Sequence, residues 1–455
     1  MAEFPNKDDL LKKWKPVLDV EGVAPITDKH KRWTTAVVLE NQEIEFKKAN
    51  SIYGRNGQTP MTLSEAAPTN STGSNIDNYD PVLISLLRRT MPNMLPYDLC
   101  GVQPMTGPTG LIFCLKATYT SQSGSEALFS EANTFFSGTN AAGGNGVNSG
   151  SSSNTDPVLD LNDSTVYGVG RGMTTANAEA LGTGSSSTYF PEMAFTIDKI
   201  TADVKSRALK AEYSIEMAQD LKAVHGLDAE TELSNILSSE ILAEINREIV
   251  RIIYRCAKVG AQTGTASAGT FNLDSDSNGR WLGEKFKGMY FQFEREANFL
   301  AKETRRGKGN IALVSSDVAS ALSMAGVLDY TPAINNQNLN VDDTGNLFAG
   351  TMFGGRMKVY VDPYFYSASG YEVAVVGYKG SSPFDAGLFY CPYVPLQLLR
   401  ATDSQSFQPK IGFKTRYGLV ANPFATAAGD GVVGDRNTSN QANKYYRIFR
   451  ITNLM

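Results

Sequence analysis

Histidine is almost absent from this sequence of 455 residues, which contains only His30 and His225. Most catalytic triads, many zinc sites and most general bases depend on histidine, so its scarcity argues against most classes of enzyme. The sequence also lacks a P-loop and a GxSxG nucleophile motif. We therefore predict that the protein is not an enzyme and that it has no catalytic, cofactor-binding or metal-binding residues.

Strong charge, paired cysteines and long apolar runs are also missing. The formal net charge is -5, which provides no sequence-wide attraction to nucleic acid. Cys100, Cys114, Cys256 and Cys391 have no CxxC spacing, so we predict buried thiols in a reducing compartment. No apolar run opens the chain or is long enough to cross a bilayer, so we predict neither a signal peptide nor contact with a membrane.

One loop resembles the start of a calcium site. Asp274, Asp276 and Asn278 place oxygen atoms at alternate positions, and Gly279 occupies the sixth position. The twelfth position, where such loops carry a bidentate glutamate, is Lys285. We interpret this stretch as a solvated turn and not as a metal site.

The longest uninterrupted helical pattern runs from Asp228 to Gly260, with no glycine or proline before its last residue. Asp228 is a favourable N-cap, and Gly260 is a typical C-terminal stop. Apolar residues recur every four positions at Leu233, Leu237, Ile241, Ile245 and Ile249. The stripe therefore winds around a rod about 45 Å long. We predict a long helix with other chain segments lying across it; an ordinary buried helix is the alternative.

Helical and strand-like patterns are mixed in the rest of the chain. A second amphipathic helix is predicted at 283–303, with an apolar side made of Phe286, Met289, Phe293, Ala297 and Leu300. Strands are predicted at 311–314, 357–361, 371–376, 387–399 and 413–420. Ser316 is predicted to cap a short helix that ends at Ala325. This mixture predicts an α+β fold.

A long polar tract at 121–188 is rich in glycine, serine, asparagine and threonine. Such a composition cannot bury enough apolar surface to fold tightly on its own. Strand-like segments at 110–120 and 194–205 flank the tract. We interpret the whole as a long two-stranded extension with a loose insertion near its tip.

The first 65 residues read as a separate segment that is dense in charge. An amphipathic helix is predicted at 8–20 and a helical continuation at 37–48. Leu63, Ser64 and Glu65 then precede Ala66 and a run of small, proline-containing and polar residues. This composition is typical of an exposed, extended site that proteases can reach, although a plain interdomain linker has the same composition.

Four segments carry a more specific signal. They are 91–113 (MPNMLPYDLCGVQPMTGPTGLIF), 205–241 (beginning KSRALKAEYSIEMAQDLK), 294–310 (EREANFLAKETRRGKGN) and 413–424 (FKTRYGLVANPF). Together they resemble the major capsid protein of T-even-type tailed phages, from about residue 60 to the C-terminus. The resemblance implies the Hong Kong 97 capsid fold, with an N-terminal arm, an extended loop, a spine helix, and peripheral and axial domains.

The resemblance also implies a division of the chain. The implied parts are a cleaved N-terminal propeptide (1–65), an N-terminal arm (66–104), an extended loop with a Gly/Ser-rich insertion (105–205), a peripheral domain including the spine helix (206–290), an axial domain (291–380) and the completion of the peripheral domain (381–455). In this family a maturation protease cuts after Leu/Ile-x-Glu and before a small residue. Leu63, Glu65 and Ala66 match that rule, whereas the similar Leu242-Ala243-Glu244 is expected to be protected inside the spine helix.

The function implied by the resemblance is structural. Copies are expected to form hexameric capsomers of an icosahedral head around double-stranded DNA, assembled in the host bacterial cytoplasm. Expected partners are the vertex protein, an internal scaffold bound through residues 1–65, the prohead protease and decoration proteins, with no cofactor and no sequence-specific nucleic acid. Three alternatives stay open: a vertex subunit forming pentamers, an oligomeric cytoplasmic enzyme using carboxylates, and a surface-binding protein acting through the Gly/Ser insertion.

Overall fold

A computed structural model describes the chain at residues 7–19, 26, 28–54, 94–128, 132–134, 136–137, 172–173, 175–182, 190–277, 279, 281–328, 347–366, 370–403, 407–425, 433 and 442–454. The helices are α1 (Lys7–Leu18), α2 (Lys29–Gly54), α3 (Pro96–Leu99), α4 (Thr175–Glu179), α5 (Ile215–His225), α6 (Ala229–Cys256), α7 (Leu282–Thr304) and α8 (Ser316–Met324). No helix in these ranges is long and apolar enough to cross a membrane.

The strands are β1 (Gly101–Val102), β2 (Thr109–Tyr119), β3 (Glu126–Ala127), β4 (Met193–Asp203), β5 (Lys205–Glu212), β6 (Ala257–Val259), β7 (Thr270–Asn272), β8 (Ile311–Ser315), β9 (Leu347–Met352), β10 (Met357–Asp362), β11 (Glu372–Gly377), β12 (Leu388–Thr402), β13 (Pro409–Ala421) and β14 (Asn443–Thr452). In the described ranges they form three sheets, with strand orders β1-β12-β13-β5, β6-β14-β11-β8-β10-β9 and β3-β2-β4, and β7 also pairs with β14. The predicted α+β class is confirmed. Contacts divide the chain into unit 1 (Met1–Leu111 and Thr201–Met455) and unit 2 (Ile112–Ile200).

The predicted long helix is α6, which we call the spine helix. It begins after the N-cap Asp228, as predicted, but it ends at Cys256. It stops earlier than predicted because Ala257–Val259 leaves the helix as β6 and pairs with β14. The predicted stripe is buried at Ile241, Ile245 and Ile249, whereas Leu233 and Leu237 are only half-buried. Ser234 and Ser238 are buried in that first part of the helix.

The spine helix packs against β5 and β13 of the four-stranded sheet. Arg207 on β5 makes the polar connection: its guanidinium donates to Glu244 and Glu248 of the spine helix, at 2.7 Å each. Glu248 also accepts a hydrogen bond from the hydroxyl of Tyr417 on β13. One arginine therefore ties two turns of the helix to two strands of the sheet.

The larger sheet of unit 1 packs against α7 and α8. Every residue of β8 is buried, and five of six residues of β11 are, as expected for central strands rich in β-branched side chains. The apolar side predicted for the second helix is buried at all five positions in α7. Glu296 of α7 and Arg447 of β14 pair at 2.7 Å beneath this apolar layer.

Two predictions about unit 1 need correction. The N-cap of α8 is Ser315 and not Ser316, because the helix begins one residue earlier than predicted. The first 65 residues read as a separate segment, but α1 and α2 join the main hydrophobic cluster of unit 1. The apolar side of an amphipathic helix must be buried, and α2 buries its apolar side against β12. The prediction of buried thiols is confirmed, since all four are free and buried.

Unit 2 contains most of the predicted pair of long strands, β2 and β4. The amide of Thr120 donates to the carbonyl of Glu192 at 2.9 Å, beside the last residue of β2 and the first of β4. β3 pairs with the other edge of β2. Most of the Gly/Ser-rich tract lies outside the described residues, which include only α4 and short stretches of it.

Candidate functional site

The β2–β4 ladder carries one strongly apolar face. Hydrogen bonds at its two ends, from Thr120 to Glu192 and from Val204 to Pro108, make the strands antiparallel. They set a register in which Leu115 lies opposite Ile197. Since side chains alternate between the faces of a strand, alternate residues of both strands share this face.

We call this surface the apolar strand face and define it as Phe113, Leu115, Met193, Phe195 and Ile197. Each of these side chains is between 53% and 66% exposed. Contiguous exposed apolar side chains on a soluble protein usually mark a surface that another molecule covers. The apolar strand face is therefore a candidate contact surface.

The opposite face of the same ladder has a different chemistry. The ammonium of Lys116 pairs with the carboxylate of Asp198 at 2.5 Å, and the thiol of Cys114 is buried next to the carbonyl of Asp198. The hydroxyl of Thr118 donates to the carbonyl of Ser121 at 2.7 Å. Polar side chains on this face find partners within unit 2, whereas the apolar strand face is left to the solvent.

A second candidate surface lies in unit 1, where α1 and α2 are docked. Seven apolar side chains of these helices are buried in the main cluster: Leu10, Trp14, Leu18, Ala36, Val37, Val38 and Leu39. The two helices are held to each other by Glu40, which accepts from the indole of Trp14 at 2.9 Å and pairs with Lys13 at 2.8 Å. They therefore form one amphipathic helix pair.

Asn41 anchors the helix pair to the rest of unit 1. Its side-chain amide donates to the carbonyl of Met105 at 2.7 Å and to the carbonyl of Tyr393 at 3.0 Å. Asn41 is itself buried. A buried amide with both donor hydrogens satisfied by a distant backbone is costly to disrupt, so these two bonds position α2 on β12.

His30 makes a second anchor on the same helix. Its ring nitrogen Nε2 lies 3.0 Å from the carbonyl of Val102, to which it donates. Burial lowers the pKa of His30, the bond to Val102 opposes that shift, and the positive charge of Lys379 adds to it. Nearby, Lys31 pairs with Asp98 at 3.2 Å, so charged groups surround the contact between α2 and residues 94–105.

The predicted cleavage residues Leu63, Glu65 and Ala66 lie outside the described residues, so the cleavage site stays a prediction. The similar tripeptide at 242–244 lies inside the spine helix, where Leu242 is buried and Glu244 pairs with Arg207. A protease that needs an extended substrate cannot bind it there without unfolding the helix.

The calcium-like loop uses its carboxylates internally. Asp274 pairs with Lys285 at 2.5 Å. Asp276 accepts from the backbone amides of Ala266 and Asn272, at 2.8 and 2.9 Å. In the described ranges no group of three or more histidine, cysteine, aspartate or glutamate side chains could hold a metal ion. These contacts agree with our interpretation of the stretch as a turn.

Sequence reasoning missed the docking of the helix pair. The periodicity of α1 was visible, and the run from Ala36 to Leu39 was a signal that α2 also has a buried side. The acceptors of Asn41 could not be foreseen, because they lie 64 and 352 residues away along the chain. Such contacts depend on tertiary structure and not on local pattern.

Comparison with known proteins gives a consistent result. The family model of the major capsid protein Gp23 matches residues 76–451. The major capsid protein of Serratia phage KSP90 is 37% identical, with 98% of each chain covered. That of Enterobacteria phage T4 is 35% identical, with 93% of each chain covered.

A more distant relative is the capsid vertex protein of phage T4, which is 29% identical over 53% of this chain and 56% of its own length. Among solved structures, the capsid of Myoviridae phage XM1 is similar over 78% of this chain and 91% of its own, with a TM-score of 0.39 and 9% identity. The match to the major capsid proteins is thus both longer and higher in identity than the match to the vertex protein.

Proposed function

The chain belongs to the Gp23 family of phage major capsid proteins, and on that premise we propose that its copies form hexameric capsomers of an icosahedral head around double-stranded DNA. As a major capsid protein it is part of the virion of a tailed phage. Proteins of this family are structural, and the enzyme and surface-binding alternatives gain no support from the comparisons.

The apolar strand face is the observation that carries the assembly proposal. Its five side chains are between 53% and 66% exposed in the single chain, so more than half of their surface lacks the stabilisation that burial provides. Full burial of a leucine or phenylalanine side chain contributes about 1.5–3 kcal/mol, and covering the part that is still exposed contributes about half of that. A neighbouring copy that covers this face gains that free energy at every repeat of a closed symmetric assembly.

Charge supports the enclosure of DNA without tight binding. The net charge of -5 disfavours a general attraction to phosphate groups, so packaged DNA is not held to the shell along its length. Assembled shells that bind double-stranded DNA tightly in low salt, and release it as salt is added, would contradict this part of the proposal.

Maturation is proposed to occur by hydrolysis of the peptide bond between Glu65 and Ala66. Water adds across that bond, leaving a carboxylate on Glu65 and an amino group on Ala66. The match of Leu63-Ser64-Glu65 to the family rule supports this site, and so does the helical burial of the competing 242–244 tripeptide. Residues 1–65 would bind the internal scaffold before the cut, and the prohead protease and the vertex protein would be further partners.

Assembly can be tested with the full chain and two variants. Phe195→Asp places a charge in the apolar strand face, whereas Lys205→Asp changes an exposed, already charged position on β5, outside that face. We expect wild type and Lys205→Asp to form six-membered rings or shells in electron micrographs, and Phe195→Asp to stay unassembled. Assembly of Phe195→Asp at the wild-type concentration, or five-membered rings from the wild type, would contradict the proposal.

A further inference from the structure

The surface beneath the helix pair is a binding site in its own right. We call it the docking surface and define it as residues 94–105 together with β12. Met94, Val102 and Leu396 contribute buried apolar side chains to the cluster that α1 and α2 complete. Its backbone also supplies three acceptors, the carbonyls of Val102, Met105 and Tyr393.

We propose that the docking surface binds the helix pair of a second copy of this chain as well as its own. Residues 7–54 then act as a separable ligand, and neighbouring copies are tied together by exchanged N-terminal segments. The inference rests on the proposed function in one respect only: the cut after Glu65 would turn the segment into a separate molecule.

The contacts that carry the docking belong to the helix pair itself. They are the seven buried apolar side chains, the two bonds of Asn41 and the bond of His30. All lie between Leu10 and Asn41, so they form in the same way whichever copy supplies the segment. The docking surface recognises an amphipathic helix pair with an amide at one defined position.

The connection permits the exchange. Residues 55–93 join α2 to the docking surface of the same chain, and a chain of that length spans up to about 130 Å when fully extended. A compact chain of 455 residues has a radius of gyration of about 23 Å, so two copies in contact lie closer together than that reach. A connection so long contributes only a moderate effective concentration in favour of the chain's own surface.

Two consequences follow for maturation. Hydrolysis after Glu65 cuts the connection but breaks none of the contacts of the helix pair, so the cut and the departure of the segment are separate events. Before the cut, an exchanged segment holds two subunits together; after the cut, it only keeps one docking surface covered until it departs.

The experiment uses the full chain with a recognition sequence for a specific protease inserted between residues 58 and 59. After complete cutting, native mass spectrometry should find the N-terminal fragment still bound to the remainder in a 1:1 complex. Isotopically heavy and light uncut chains are then assembled together, cut in the cold, and separated into 1:1 complexes that keep the fragment bound. We expect some complexes to pair a heavy fragment with a light remainder, which a segment docked on its own chain cannot give. Heavy and light chains that are cut separately and then mixed are the control for exchange after the cut.

Two variants control the experiment. Val38→Asp places a charge at a fully buried position of α2, whereas Ile44→Asp changes a position of the same helix that is 41% exposed. We expect the Val38→Asp fragment to separate on cutting and the Ile44→Asp fragment to stay bound. Because Val38→Asp could also impair folding, Asn41→Ala provides a milder variant that should weaken retention at least tenfold.

The inference is overturned if the wild-type fragment separates as soon as the chain is cut, or if every complex from the co-assembled chains pairs a fragment and a remainder of the same isotope. Both results are interpretable even if the natural protease never cuts after Glu65, because the inserted recognition sequence allows the chain to be cut without it. Failure of the maturation proposal is therefore distinguishable from failure of the docking proposal.

Discussion

Glu296 and Arg447 form an ion pair at 2.7 Å in which the carboxylate side chain is fully buried and the guanidinium side chain is 6% exposed. Glu296 also accepts from the backbone amide of Ala261 and from the side chain of Gln292, at 2.8 and 2.7 Å. Arg447 reaches Glu303 with its other nitrogen. The pair thus joins α7 to β14 and to the chain that follows β6.

Replacing Glu296 with alanine should destabilise unit 1 strongly. The change leaves the Arg447 charge buried without its main partner and removes the acceptor of two further donors, which costs about 3–5 kcal/mol. Urea denaturation of the full chain measures the loss. Glu232→Ala, at an exposed position of the spine helix, is the control and should cost less than about 1 kcal/mol. Equal midpoints for the two variants would show that the buried pair is unimportant.

Replacing Asn41 with alanine should loosen the helix pair without unfolding the sheet below it. Two buried carbonyls lose their donor, which costs about 1–3 kcal/mol. Hydrogen exchange should therefore accelerate in α1 and α2 and stay unchanged in β13. Ile44→Ala, on the exposed side of α2, is the matched control and should leave the exchange of both helices as in the wild type.

Acidification should weaken the docking of α2. Burial lowers the pKa of His30 in the folded chain below its ordinary value near 6.5, so the docked state favours the neutral ring. The contribution of His30 is complete above that ordinary value and is lost as the pH falls through the lowered pKa. Protection factors for amide exchange in α2, which divide out the intrinsic slowing of exchange in acid, should fall only in the acidic part of the range from pH 7.5 to 5.

Two variants isolate the histidine that causes the effect. His30→Gln keeps a donor for the carbonyl of Val102 but cannot titrate, so its protection factors should depend less on pH than those of the wild type. His225→Gln removes the other histidine, at the end of α5, and should behave as the wild type does. A pH dependence that survives in His30→Gln would assign the effect to another group.

Replacing Glu65 should abolish the proposed cut without redirecting it to the spine helix. Leu242 is buried, and Glu244 is held by Arg207, so the 242–244 tripeptide is not available in the folded chain. Mass spectrometry of Glu65→Ala particles should find the chain intact at both places. Ser64→Ala keeps the glutamate and should be cut normally after Glu65. A fragment ending at Glu244 would contradict the protection that we infer.

Local pattern was enough to predict the elements with strong periodicity. The apolar side of α7 was predicted at all five positions, and the paired strands of unit 2 were predicted from their alternation and the polar tract between them. The same reasoning missed β14, which we had not predicted as a strand. Seven of its ten residues are buried, so tyrosine, arginine and phenylalanine follow one another without the alternation that marks a half-exposed strand.

Long-range contacts account for the remaining differences. The spine helix ends at Cys256 because β14, nearly 200 residues later, offers β6 a pairing partner. The helix pair docks on β12, where Asn41 bonds to a carbonyl 352 residues further along the chain. Of the candidate surfaces, the apolar strand face could be predicted from the alternation of apolar and polar residues in β2 and β4. The docking surface could not, because the fold brings its two parts together from distant positions in the sequence.

The two acceptors of Asn41 also fix an order of events during synthesis. Met105 and Tyr393 come together only when 101–105 has paired along β12, since the amide of Met105 donates to the carbonyl of Pro392 at 2.9 Å. A ribosome must therefore translate most of the message before the first helices can settle. In a chain truncated before Tyr393 the first helices lack this acceptor and cannot dock fully. Docking of the earliest residues therefore indicates that synthesis has passed β12.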